Sequence, residues 1–306
     1  MRSNTAVRLI ALSAIGIFIW LYGFKPLFSE KSGGTTVFTW LVNTWNEKNQ
    51  LQHCFYLPFV MTFLVMRQKK ALNAAPHTPH FAGILLVCFG LLLYLASIRT
   101  LQPRLAVGGL PFLIIGSAMF LRGLSFARCL VFPSLLIFFM VPVPGIVQAT
   151  NGLQLAATKG AFAIAQVAGV DAIRTGNQIL SANSAWGFDV AEGCSGIRSL
   201  LVMVLGAAIY GHLTLSKIWQ QGLLFLLALP IAVFANCLRI ASVTLIAEYG
   251  SAELAGNLYH DYSTWIFFAF GFACLVVLSR LISGRLFHKK KSTRVITTTQ
   301  ASPANA

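Results

Sequence analysis

Eight stretches of the chain, at about residues 9–24, 51–66, 81–98, 105–121, 129–144, 199–216, 218–238 and 263–279, are apolar and carry no charge. A helix needs roughly 20 such residues to cross the hydrocarbon of a bilayer, and most of these runs approach that length. The pattern predicts an all-α integral membrane protein of about eight transmembrane helices. Composition agrees, because 57% of the 306 residues are hydrophobic and 10% are charged, against roughly 45–50% and about 25% in a soluble domain. The first run follows Arg2 and Arg8 as a signal peptide would. Trp20, Tyr22 and Phe24 stand where a small-residue cleavage site is needed, so the run reads as a span.

The net charge of +15 would suggest a nucleic-acid partner in a soluble protein. Here the charges sort by side of the membrane. With the N-terminus inside, fourteen cations (Arg2, Arg8, Arg67, Lys69, Lys70, Arg122, Arg128, Lys217, Arg280, Arg285, Lys289, Lys290, Lys291 and Arg294) fall in the cytoplasm with no acid among them. All eight acids then lie outside. The positive-inside rule selects N-in and C-in, which requires an even number of spans. Charge therefore reports topology in a cell (cytoplasmic or inner) membrane, with lipids as neighbours and no nucleic acid.

No internal repeat or second domain is legible. Residues 1–284 read as one transmembrane domain, and residues 285–306 as a basic, then polar, cytoplasmic tail too polar to pack. Between the fifth and sixth runs lies a long outer loop. In it Gln148, Asn151, Gln154 and Thr158 recur at helical spacing, which predicts an amphipathic helix lying in the interface. A re-entrant or ninth span over residues 145–170 is the alternative, at the cost of moving the acids of residues 171–192 inside. Residues 176–190 read as a short extended excursion.

The six cysteines stand singly, with no spacing that marks a zinc site or redox pair, so neither metal nor cofactor is expected. On this topology Cys194 opens span six, Arg239 ends span seven and His260 precedes span eight, all at the outer boundary. Of the histidines, only His53 and His260 fall outside. A cysteine at a helix start, with Arg198 one turn along, favours the thiolate, whereas Glu192 opposes it. Arg239 keeps its proton and must face an anion, such as the oxyanion of an attacked peptide carbonyl; Asn236, one turn earlier, can add a second hydrogen bond. His260 can act as acid and base. Ser195 is a rival nucleophile. A packing cysteine, a snorkelling arginine and a hydrated histidine form the plain alternative reading.

The segment Val190-Ala191-Glu192-Gly193-Cys194-Ser195-Gly196-Ile197-Arg198-Ser199-Leu200 resembles the signature of the exosortase/archaeosortase family. Ala235-Asn236-Cys237-Leu238-Arg239-Ile240 resembles its arginine motif, and His260 before Trp265 and Phe267 its histidine motif. Gln52-His53-Cys54-Phe55-Tyr56-Leu57-Pro58 and the proline-ended Phe138–Pro144 are also similar, so the likeness runs over about residues 50–280. Cys54 stands where the family has glycine after histidine, and Thr264 where a small residue is frequent.

The resemblance implies an eight-span cysteine protease or transpeptidase with Cys194 as nucleophile, Arg239 as electrostatic stabiliser and His260 as general acid/base. Its substrates would be exported proteins ending in a sorting motif, one transmembrane helix and a basic tail, as in the PEP-CTERM signal. The product would pass to an acceptor such as lipid, glycan or water. A transporter, a scaffold for exported polymer, and a hydrolase without transfer are the competing readings.

Overall fold

The computed structural model describes residues 13, 16–26, 28–30, 33–46, 49–142, 145–183, 186–189, 197–255 and 260–284. Its elements in chain order are a π-helical turn Trp20–Phe24, a hairpin β1 (Phe28–Glu30) and β2 (Gly33–Thr35), and helix α1 (Val37–Thr44). Then come a 3-10 turn Gln52–Tyr56, α2 (Leu57–Arg67), α3 (Ala82–Thr100), α4 (Pro103–Arg122) and α5 (Leu124–Leu135), which runs on as the 3-10 turn Leu136–Met140. There follow α6 (Ile146–Val167), strands β3 (Ala172–Thr175), β4 (Gln178–Ser181) and β5 (Gly187–Asp189), α7 (Ile197–Thr214), α8 (Ile218–Tyr249) and α9 (His260–Ile282).

Among the described residues, four helices are long and apolar enough to cross a membrane: α3, α4, α8 and residues 262–282 of α9. Two shorter apolar helices accompany them, Leu124–Met140 and Arg198–Thr214. This is a mostly helical membrane protein. Six of the eight expected spans coincide with these apolar helices; part of the first run, and the tail from 285, lie outside the described residues. The second run divides into a 3-10 turn and the 11-residue α2.

Packing follows from residue size. A Cβ on Gly83 would lie 2.5 Å from the Gly116 carbonyl oxygen, and one on Gly109 would lie 2.8 Å from that of Gly90. With glycines seven residues apart on each helix, α3 and α4 approach backbone to backbone, the small-residue contact that membrane helices use in place of a hydrophobic driving force. The first half is then tied by polar side chains to distant carbonyls. Tyr22 donates to Ala106 (3.3 Å), Tyr94 to Leu21 (3.1 Å) and Trp45 to Met140 (3.0 Å). Each bond satisfies a polar atom that hydrocarbon would leave unpaired.

The second half is built on α8. Its first part packs with α7 and α9 through Met203, Ala207, Leu224, Ala228, Ala232 and Leu275. Its last part carries a different cluster, where Cys237, Ile240, Ala241, Val243 and Ala247 meet α6 and the strands. At 32 residues the helix is about 48 Å long, well beyond the roughly 30 Å of hydrocarbon. The helix runs on past Arg239 to Tyr249, where α6 and the sheet cover its continuation.

The amphipathic helix expected in the outer loop is α6. Its Gln154 and Thr158 are buried beside Ala157, Ala161 and Ala165 and turn toward α8, whereas Asn151 is exposed. The extended excursion is a three-stranded antiparallel sheet in the order β3-β4-β5, with Ile173 opposite Leu180 and Ile179 opposite Phe188. Ile179 and Trp186 point into the cluster, and Trp186 Nε1 donates to Glu248 Oε2 at 2.8 Å. Two short sheets thus stand on a helical frame.

Candidate active site

Arg239 is 6% exposed, yet a guanidinium keeps its charge under all ordinary conditions. Its Nε–H donates to Oγ of Ser263 at 3.2 Å, and Ser263 is fully buried. The bond joins α8 to α9. Deeper along the same pair, Gln220 Nε2 donates to the Ile282 carbonyl at 3.0 Å. Nineteen residues separate Gln220 from Arg239, and nineteen separate Ser263 from Ile282. The antiparallel helices therefore run in register between two polar ties about 28 Å apart, close to the thickness of a hydrocarbon core.

Asn236, one turn before Arg239, shares its face of α8, as the spacing predicts. Both line a small cleft with Ser199 and Met203 of α7, Ala232 and Ala235 of α8, and Thr264, Phe267 and Phe268 of α9. Apart from the polar groups at its head, the wall is hydrocarbon. Asn236 is 9% exposed and its Oδ1 has no hydrogen-bond partner. Leaving such an acceptor buried and unpaired costs about 1–3 kcal/mol.

His260 is the first residue of α9, one turn ahead of Ser263. Its side chain, and all of Glu192, Cys194 and Ser195, lie outside the described residues. The chain resumes at Ile197, three residues after Cys194, and Ser199 in that first turn lines the cleft. Arg198 points elsewhere. It is exposed, and its Nε–H donates to Oε1 of Gln50 at 3.1 Å. His53 lies within electrostatic range of Arg198, and its Nδ1 is buried without a partner. The first turn of α7 thus separates two polar groups, Arg239, Asn236 and Ser263 on one side and Gln50, His53 and Arg198 on the other. Cys54, where glycine is usual, is fully buried and donates through Sγ to the Phe139 carbonyl at 3.3 Å.

Sequence reasoning missed Ser263 and Ser199. Serine does not interrupt an apolar run, so both merge into it as the first residues of spans eight and six. The available signal is helical spacing, since Ser263 follows His260 by three residues.

A buried arginine and an orphaned amide at a three-helix junction, among long apolar helices, mark a polytopic membrane protein with a polar cluster between its helices. Residues 45–277 match the family model for transmembrane exosortase (Exosortase_EpsH), and the chain belongs to that family. No curated protein and no solved structure matches it.

Proposed function

We propose that this chain is a cysteine transpeptidase or protease that cleaves a C-terminal sorting signal from exported proteins at the outer face of the cell membrane. The observation that carries the reading is the burial of Arg239 beside Asn236 in a cleft of apolar helices, one turn along α9 from His260. A fixed cation so placed suits an anion that forms inside the cleft, and peptide cleavage creates one.

In this mechanism the Cys194 thiolate attacks the carbonyl carbon of the scissile peptide, and the carbonyl oxygen takes up the charge. Arg239 stabilises that oxyanion, with the Asn236 amide N–H as second donor. Collapse of the intermediate breaks the C–N bond. His260 as imidazolium gives its proton to the leaving amine, and a thioester on Cys194 remains. His260, now neutral, takes a proton from the acceptor nucleophile, which attacks the thioester and releases the thiolate. Water as acceptor gives hydrolysis; a glycan or lipid amine or hydroxyl gives transfer.

The substrate helix enters laterally in the bilayer, so the distance from its basic tail to its motif selects the bond that is cut. N-in and C-in topology puts the continuation of α8, with α6 and the sheet, on the same outer side. The test is an exported reporter ending in Pro-Glu-Pro, an apolar helix and a basic tail, co-expressed with the protein. Wild type should shorten the reporter, and Cys194→Ala and Arg239→Lys should leave it intact. Equal shortening by wild type and Cys194→Ala would overturn the reading.

A further inference from the structure

Oxyanion stabilisation uses the amide nitrogen of Asn236 and leaves its oxygen unexplained. Oδ1 is buried and without a donor, and the side chain is more than nine-tenths enclosed. Of its neighbours, Met203, Ala232, Ala235, Phe267 and Phe268 have side chains that cannot donate a hydrogen bond, and Ser199, Thr264 and Arg239, which also line the cleft, make none to this oxygen. A group that enters the cleft with an N–H supplies the donor. In an extended peptide the N–H and C=O of one residue point to the same side, spaced so that a single primary amide can accept from the first and donate to the second. Strand-like recognition of this kind reads main chain and is indifferent to side chains.

We propose that Asn236 is a substrate-binding residue that grips the main chain of the cleaved segment: Oδ1 accepts the N–H, and Nδ2 donates to the C=O, of one extended residue in the cleft. The proposal rests on the proteolytic reading for the identity of the peptide, but not on the nucleophile. If the held residue is the one whose carbonyl is attacked, the same amide aligns the ground state and follows the oxygen as its charge grows. The apolar walls then seat the substrate helix that follows.

The test compares Asn236→Leu with the parent in a Cys194→Ala background, where turnover is blocked. The leucine is close to isosteric and removes both polar atoms. Capture of the tailed reporter by co-purification in detergent should fall about tenfold, the loss expected for two hydrogen bonds. The melting temperature of Asn236→Leu should equal or exceed that of its parent, because an orphaned acceptor has been removed. An amide that merely packs gives the opposite pattern, lower melting temperature with undiminished capture, and that result would overturn the proposal.

Proline replacement along the reporter motif adds a second arm, since proline has no N–H. At one position it should weaken capture by the asparagine protein by about tenfold and by the leucine protein hardly at all. Equal proline penalties in both proteins at every position also count against the proposal. If Cys194→Ala turned out to cut the reporter, the cysteine mechanism would fall, while a capture loss with Asn236→Leu would still identify the peptide seat.

Discussion

The Nε–H of Arg239 donates to Oγ of Ser263 across 3.2 Å, from the middle of α8 to the first turn of α9. A guanidinium is planar, so fixing one nitrogen fixes the direction of the whole fork. On the proposed mechanism Ser263 acts on chemistry through Arg239. Ser263→Ala should insert normally and lower the kcat for reporter cleavage by about tenfold, the scale of misaligned electrostatic groups. Arg239→Lys should cost more. In the double variant the serine change should add almost nothing, because its partner is already gone. Additive losses would make Ser263 a packing residue.

How much of this is legible in the sequence depends on which physical signal a residue carries. The uncharged runs locate α3, α4, α8 and α9, because the hydropathy of its side chains chiefly decides whether a helix is stable in lipid. The same signal ends span seven at Leu238. Arg239, Ser242, Thr244 and Glu248 break the apolar run, yet Ile240, Val243 and Ala247 keep one face apolar for α6 to cover. The continuation of the helix is a tertiary effect. Strands of three or four residues leave only the impression of an extended loop, since so short an alternation is not distinctive. Asn236 and Arg239 stand out because amide and guanidinium are conspicuous in hydrocarbon. Ser263 does not, because serine is unremarkable there.

Packing of α6 on α8 turns on Gly160. A Cβ at this position would lie 2.8 Å from Cys237 Sγ, which is buried two residues before Arg239. Gly160→Ala should destabilise the protein by about 1–3 kcal/mol through overpacking, read as a lower melting temperature in detergent. Gly160→Leu should be worse. Combining Gly160→Ala with Cys237→Ala should recover most of the loss, since the clashing sulfur is removed. A double variant as unstable as Gly160→Ala would mean that α6 packs differently.

His53 precedes α2 and His260 opens α9, and on the proposed mechanism their variants should differ. His53 sits in the turn before α2 beside Arg198, across the first turn of α7 from Arg239. His260→Ala should abolish cleavage through loss of the proton carrier, whereas His53→Ala should leave a substantial fraction. The initial rates of the two variants on the same reporter decide it. Complete loss in both would bring the two polar groups into one catalytic unit.

The proposed N-in, C-in orientation rests on the confinement of every acid to one side of the predicted membrane. Reporter fusions after residues 70, 125, 215 and 290 should read cytoplasmic, and those after 35, 102, 180 and 255 external. The fusions at 180 and 255 bear most directly on function, because one falls in β4 and the other just past the end of α8. An external signal at 290 would put α9 in the reverse orientation and remove His260 from the outer face.

Five of the six cysteines lie among the described residues, four of them at least partly buried. Cys54 is buried and bonds the Phe139 carbonyl, and Cys237 is buried against α6. Cys129 contacts the Ser125 carbonyl on its own helix at 3.7 Å, Cys274 is half-buried, and Cys88 lies exposed on α3. A protein with Cys54→Ser, to keep the donor, and alanine at the other four should therefore cleave the reporter at a rate near that of wild type. Restricting thiols to Cys194 also sharpens the chemistry. The thioester predicts a covalent adduct in the membrane that hydroxylamine releases and that Cys194→Ala never forms. Cys194→Ser should be nearly inactive, because a serine hydroxyl is far less ionised than a thiol and needs a stronger activating base. Full activity of the serine variant would instead favour base-activated alkoxide chemistry at this position. Cleavage that survives in Cys194→Ala would move the nucleophile to Ser195 or return the chain to a non-catalytic role in the membrane.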